Sequence, residues 1–262
     1  MAGTSIYNIT YFDHDESVYV QFLACNFACL GCVRRRYPGC HIAEGAAKGD
    51  AAPELLDVEG LADVLSEARR TLGLRRAVLG GWEPTADPQL CNVMKVLADL
   101  NVEVALLTNG YLLDRALDCL PRGSTVEVGV KSLDPARFSS YTGRRPEDLG
   151  RVLENMELAL RQGLRVVVET VLIPGFNEAE DVEALAAYVA SRLGAETPMI
   201  VDEYIPVPGA PWRRPTLGEL EEARRRAERH LKGVVIRSSY TMRPKGRIYT
   251  LFPRRRGEAT RS

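Results

Sequence analysis

The stretch FLACNFACLGCVRRR, residues 22–36, decides how the chain is read. It follows an apolar run, Ser17–Leu23, and places Cys25, Cys29 and Cys32 within eight residues at a C-x3-C-x2-C spacing. Zinc sites need four ligands, normally a C-x2-C pair joined by a second Cys or His pair. That second pair is missing. Cys91 and Cys119 are far apart, His14, His41 and His230 are isolated, and Cys40 is the only candidate fourth ligand. Three soft thiolates in a tight loop suit an iron–sulfur cluster instead. With three protein ligands, one iron keeps an open position that can bind a substrate.

Outward from this loop, strand-like and helix-like segments alternate almost to the end of the chain. Ser17–Leu23, Arg75–Gly80, Val102–Thr108, Thr125–Lys131, Arg165–Leu172 and Pro198–Ile205 read as strands. Several are nearly continuous apolar runs, as expected of parallel strands covered on both faces. Between them lie helical stripes. Leu61, Val64, Leu65, Ala68 and Leu72 form one that Gly73 closes, and Leu90, Val93, Met94 and Leu97 form a second after Asp87–Pro88. Leu149, Val152, Leu153 and Met156 precede Gly163, and Val182, Leu185, Ala186, Val189 and Leu193 precede Gly194. Thr216 with Glu219 is a capping box that opens a last long helix. Six βα units predict an α/β fold with a parallel sheet. With no linker and no repeat, residues 1–262 are expected to form one domain, with a core over 17–212 and a C-terminal helix and basic tail over 213–262. Tyr37–Ala52 is the longest apparent loop, and loops of that length are often functional.

Composition narrows the function. A chain of 262 residues, 45% of them hydrophobic, can bury a core without disulfide staples. A net charge of −1 gives the chain as a whole no electrostatic case for nucleic acid, and the basic run Arg254–Arg256 reads first as a solvated tail. No apolar run is long enough to span a membrane, and the N-terminus has no signal-peptide pattern, so the chain is expected in the cytoplasm. There, Cys40, Cys91 and Cys119 are expected to be reduced and structural. Asp13–Glu16 (DHDE) reads as an exposed loop.

CNFACLGC, Cys25 to Cys32, resembles the signature of the radical S-adenosylmethionine (radical SAM) enzymes. The resemblance implies a partial (β/α)6 TIM-like barrel with the cysteine loop after the first strand. It also implies that Cys25, Cys29 and Cys32 hold a 4Fe–4S cluster that binds S-adenosylmethionine (SAM) and cleaves it to a 5′-deoxyadenosyl radical. An electron donor such as ferredoxin or flavodoxin would then be a partner. GGWEPT, Gly80 to Thr85, stands where the family has a GGE-type motif, so Gly80, Gly81 and Glu83 are implied in holding the methionine end of SAM. Glycines let backbone approach a ligand, and a carboxylate accepts charge-assisted hydrogen bonds.

LLTNG (Leu106 to Gly110), VGVKSLDPARFSSYTG (Val128 to Gly143) and LIPGFNEAED (Leu172 to Asp181) resemble the activating enzymes of glycyl-radical proteins. That likeness places Thr108, Asn109 and Lys131 in the SAM site and points to a glycine of a partner protein or peptide as substrate. Lys131 ends an apolar strand, at the barrel mouth where active sites lie. Glu169 interrupts the apolar strand VVVETV and is expected to face inward, against a ribose or cofactor. The chain departs from the pattern at Gly31, where an aromatic is usual, and at Leu107 and Gly129, where aspartates are usual. YIPVPGAPW, Tyr204 to Trp212, lacks the activases' histidine, and Glu203 or Trp212 could serve nearby. Arg34–Arg36 read either as a solvated helix start or as groups facing the cluster mouth. A second reading is a radical SAM enzyme acting on a small molecule, nucleoside or peptide. A third is a non-enzymatic protein with zinc at Cys25, Cys29, Cys32 and Cys40.

Overall fold

Alternating apolar residues build the sheet of this computed structural model, which describes residues 3–35, 53–241 and 245–253. The strands are β1 (Ile6–Phe12), β2 (Ser17–Phe22), β3 (Arg76–Gly81), β4 (Glu103–Thr108), β5 (Thr125–Gly129), β6 (Arg165–Leu172), β7 (Met199–Glu203), β8 (Val234–Arg237) and β9 (Ile248–Phe252). The helices are α1 (Val58–Leu72), α2 (Leu90–Asp99), α3 (Pro135–Thr142), α4 (Asp148–Arg161), α5 (Ala179–Arg192) and α6 (Leu217–Ala227). The strands form one sheet in the order β8-β7-β6-β5-β4-β3-β2-β1-β9. Strands β2 to β8 run parallel to one another, and β1 is antiparallel to both β2 and β9. The sheet is not closed: it is a partial barrel with β8 and β9 at its edges.

One face of each strand packs on the helices. Ala77, Leu79, Val104, Leu106, Val126, Val128, Val166, Val168 and Val201 join Leu61, Leu65, Val93, Leu97, Val152, Met156, Leu185 and Val189 in one buried cluster. Each fully buried aliphatic side chain there stabilises by about 1.5–3 kcal/mol. The alternate residues point to the inner face, because successive strand side chains face opposite ways. The helix signals hold. Asp57 caps α1, accepting from the Gly60 amide at 2.8 Å, and Gly73 ends it at φ +75°. Asp134 caps α3, with Pro135 in its first turn, and reciprocal capping boxes open α5 and α6.

The structure adds three strands to the six expected: β1, β8 and β9. Strand β1 carries buried polar residues that blur an apolar pattern: Asn8 Oδ1 accepts from Thr10 Oγ1 and from Gln21 Nε2, both at 2.8 Å. Asp13, His14 and Asp15 are exposed in the β1–β2 turn, as expected. Cys91 and Cys119, expected from the sequence to be reduced, are instead paired. They form a disulfide with a Cα–Cα distance of 5.4 Å, which joins the first turn of α2 to the 3₁₀ turn Leu117–Cys119. Twenty-eight residues separate them in sequence, and the fold brings them within disulfide reach. The loop Tyr37–Ala52, including Cys40 and His41, lies with Arg36 and Arg254–Arg256 outside the described residues.

Candidate active site

The cysteine loop leaves the C-terminal end of β2, at the mouth of the partial barrel, and neighbouring elements pin it there. Trp82 and Glu83 donate backbone N–H bonds to Phe22 and Ala24 carbonyls, at 2.9 and 2.8 Å. Ala28 and Leu30 donate to the carbonyls of Thr142 and Tyr141 at the end of α3, both at 2.8 Å. Cys25, Cys29 and Cys32 are free thiols. Burial pushes the Cys29 thiol up to about 12, against the pull of the Lys131 charge. The Phe27 amide donates to Cys25 Sγ at 3.4 Å. Among the described residues no three Cys, His, Asp or Glu side chains are gathered tightly enough to hold a single metal ion. Three thiols on one loop suit a polynuclear cluster that takes one cysteine per iron.

Glu83 organises the neighbouring corner. It is fully buried, and its Oε1 accepts from the Thr85 amide at 3.1 Å, the Thr85 hydroxyl at 2.6 Å and the Thr108 hydroxyl at 2.7 Å. Its Oε2 accepts from the Asn109 amide at 2.6 Å. Burial raises its pKa while these donors pull it down. The carboxylate expected to reach a ligand is therefore engaged in joining the β3 turn to the β4 turn. Gly80 and Gly81 sit under Tyr19, whose hydroxyl accepts from the Gly81 amide at 2.8 Å. Asn109 Nδ2 donates to Asn26 Oδ1 at 2.8 Å, so the TNG turn also touches the cysteine loop.

Arg34 is not solvated. It is 2% exposed and donates to the Tyr7 hydroxyl at 3.0 Å, to Gln21 Oε1 at 3.1 Å and to the Gly81 carbonyl at 3.3 Å. It clamps the end of the cysteine loop onto β1, β2 and β3. A guanidinium supplies five donors in a rigid fork, which suits this many-sided role.

Lys131 and Glu169, each singled out separately in the sequence, meet in the structure. Lys131 Nζ lies 3.0 Å from Glu169 Oε2, with both side chains largely buried. Burial alone would lower the lysine pKa, but the Glu169 and Cys29 charges outweigh it and raise it. Gly129 makes the pair possible. A Cβ there would lie 2.5 Å from Glu169 Oε2 and 2.7 Å from Lys131 Nζ. The carboxylate missing from position 129 is thus supplied by the next strand. Gly31 follows the same logic: a Cβ there would lie 2.7 Å from the Tyr141 hydroxyl and 3.0 Å from the Tyr204 ring. Aromatic rings from α3 and from the segment after β7 fill the place beside the third cysteine.

The sequence reading missed part of the inner face. Arg237 pairs with Asp202 through two hydrogen bonds, at 2.7 and 2.8 Å, and with Glu127 at 2.8 Å. Burial and the adjacent Glu169 charge raise the Asp202 pKa, against the pull of Arg237. The argument that singled out Glu169, a charge inside an apolar strand, applies equally to Asp202 in MIVDE. Glu203 is turned elsewhere: it accepts from the Ser239 amide and hydroxyl at 2.7 and 2.8 Å and pairs with Arg214. Trp212 packs with Tyr141, Phe176 and Tyr204.

Residues 19–189 match the radical SAM superfamily. The chain is 32% identical over 175 residues to a GTP 3′,8-cyclase of Microcystis aeruginosa, covering 64% of this chain and 50% of that protein. It is 29% identical over 161 residues to a GTP 3′,8-cyclase of Alkaliphilus oremlandii, covering 60% and 47%. The chain therefore spans about half the length of the curated relatives it matches. SuiB of Streptococcus suis bound to S-adenosylmethionine superposes with a TM-score of 0.62 at 14% identity, over 83% of this chain and 48% of that one. A radical SAM methyltransferase from Sphaerobacter thermophilus gives 0.62 at 19% identity, over 85% and 66%. At such identities these two likenesses establish the fold.

Proposed function

The chain belongs to the radical SAM superfamily, and from that premise we propose that it modifies a small molecule of the nucleoside or nucleotide class by radical chemistry. Superfamily membership makes its cofactors a 4Fe–4S cluster and SAM. Bound together, they supply a 5′-deoxyadenosyl radical that removes a hydrogen atom from the substrate. The observation that carries the reading is the loop of three free cysteines at the barrel mouth, beside the buried Lys131–Glu169 pair. The substrate class rests on the curated relatives, which are named for a reaction of GTP. They favour a small molecule over the protein-glycine substrate that the activase-like motifs suggested.

In this reading Cys25, Cys29 and Cys32 hold the cluster. Gly80, Gly81, Thr108 and Asn109 border the place of SAM, and Glu83 keeps that border in shape from beneath rather than reaching SAM itself. Lys131 retains donors beyond the one it gives Glu169, and it offers them to SAM or substrate. Glu169 orients that ammonium and takes hydroxyl donors from a ribose. An electron donor of the ferredoxin or flavodoxin class feeds the cluster. Among the described residues no helix is long and apolar enough to cross a membrane.

Anaerobic reconstitution with iron and sulfide, followed by dithionite and SAM, is expected to yield 5′-deoxyadenosine. Cys29→Ala is expected to abolish it. A fully loaded protein that leaves SAM intact would sink the proposal. Added nucleosides or nucleotides are then screened for faster 5′-deoxyadenosine release and for a product of altered mass. Acceleration by a glycine-containing partner protein alone would restore the activase reading.

A further inference from the structure

Asn26 lies between the first two cysteines, and its side-chain amide is half used. Its Oδ1 accepts from Asn109 Nδ2 at 2.8 Å. Its Nδ2 is buried from solvent and has no acceptor among the described residues. The amide cannot simply be turned round. Asn109 Oδ1 accepts from the Tyr111 backbone amide at 3.1 Å, so Asn109 must present its NH₂ to Asn26. Asn26 must answer with its oxygen, and its own NH₂ is left facing the other way. Leaving a buried donor without an acceptor is costly, because its desolvation is not repaid. Native structures seldom keep such a group unless something else satisfies it. This donor sits in the loop that carries Cys25 and Cys29, next to Phe27, whose amide already donates to Cys25 Sγ.

We propose that Asn26 Nδ2 donates a hydrogen bond to sulfur of the iron–sulfur cluster held by Cys25, Cys29 and Cys32, and so raises the cluster's reduction potential. The proposal rests on the radical SAM reading. Reduction adds negative charge to the cluster, and a hydrogen bond to sulfur favours the more negative state. Groups around the ligands tune a metal centre in this way without touching the metal. Asn26 is thus a positioning and tuning residue. The relay from the Tyr111 backbone through Asn109 holds its amide plane, so the potential also depends on the turn after β4.

The test is a potentiometric titration of the reconstituted cluster, read by EPR without SAM, in the wild type, Asn26→Ala and Asn109→Ala. Iron and sulfide are counted first. A wild type that takes up no cluster refutes the radical SAM reading itself, which is a separate failure. With the cluster in place, Asn26→Ala is expected to lower electron affinity about tenfold, a shift of about 59 mV for one electron. Asn109→Ala releases the relay but keeps the donor, and is expected to shift the potential in the same direction by less. An unchanged midpoint in cluster-loaded Asn26→Ala overturns the proposal. If Asn26→Ala cannot hold the cluster, Asn109→Ala decides: a lowered midpoint supports the proposal and an unchanged one overturns it.

Discussion

A single methyl group at position 129 probes how the candidate site is assembled. The Glu169 carboxylate crosses over Gly129 to reach Lys131, and a Cβ would come within 2.7 Å of both side chains. Gly129→Ala is expected to cost about 1–3 kcal/mol through overpacking. It should also slow 5′-deoxyadenosine formation at least tenfold by splitting the pair. Thermal unfolding and product assay check the two effects separately. Stability lost with full SAM cleavage would show that Lys131 acts without its partner. Lys131 and Glu169 were both legible in the sequence, as a cation ending an apolar strand and a carboxylate interrupting one. Their pairing was not, because it depends on the register that sets Gly129 beside Glu169. Arg34 carries the same lesson. Three consecutive arginines look like a solvated face, and only the packing of β1 shows that the first of them is buried against Tyr7 and Gln21.

Among the elements, the link between α2 and the 3₁₀ turn Leu117–Cys119 has a measurable consequence. The Cys91–Cys119 disulfide closes a loop of about thirty residues, and loop entropy puts its contribution at about 3–4 kcal/mol. Excess dithiothreitol is expected to lower the melting temperature by several degrees, and Cys91→Ser should remove that sensitivity. Free-thiol counting under non-reducing conditions checks the bond itself. The start of α6 makes a pH prediction. Arg213 and the Thr216 amide hold the Glu219 carboxyl at about 2, below its ordinary 4.5. The cap therefore contributes fully above about pH 4.5 and is lost as pH falls through about 2. Glu219→Gln is expected to flatten acid unfolding across that window, with a modest effect because Arg213 and Glu219 are both solvent-accessible. The capping box was readable in the sequence because both partners lie within three residues. Strand β8 was not, since VVIR is too short to show a period.

The whole molecule is organised by its two sheet faces, apolar towards the helices and charged within. Three carboxylates and two cations share the inner face of β5 to β8: Glu127, Glu169, Asp202, Lys131 and Arg237. Arg237→Leu leaves Glu127 and Asp202 without their cation. Removing one partner of a buried pair costs about 3–5 kcal/mol, and the partial exposure of Arg237 puts this variant near the lower figure. Chemical denaturation measures that loss, and a double variant with Asp202→Asn is expected to recover part of it. By itself the sequence determined the α/β class, the parallel strands β2 to β7, the cysteine loop after β2 and the residue types that mark its chemistry. These are local signals, carried by apolar period, cap residues and the spacing of thiols along one loop. Only the tertiary structure decided which side chains meet. It closed the Cys91–Cys119 bond, buried Arg34, turned Glu83 into an internal brace and filled the places beside Gly31 and Gly129 from neighbouring elements. Such contacts join residues far apart in the chain, and strand register and packing, which no single segment encodes, bring them together.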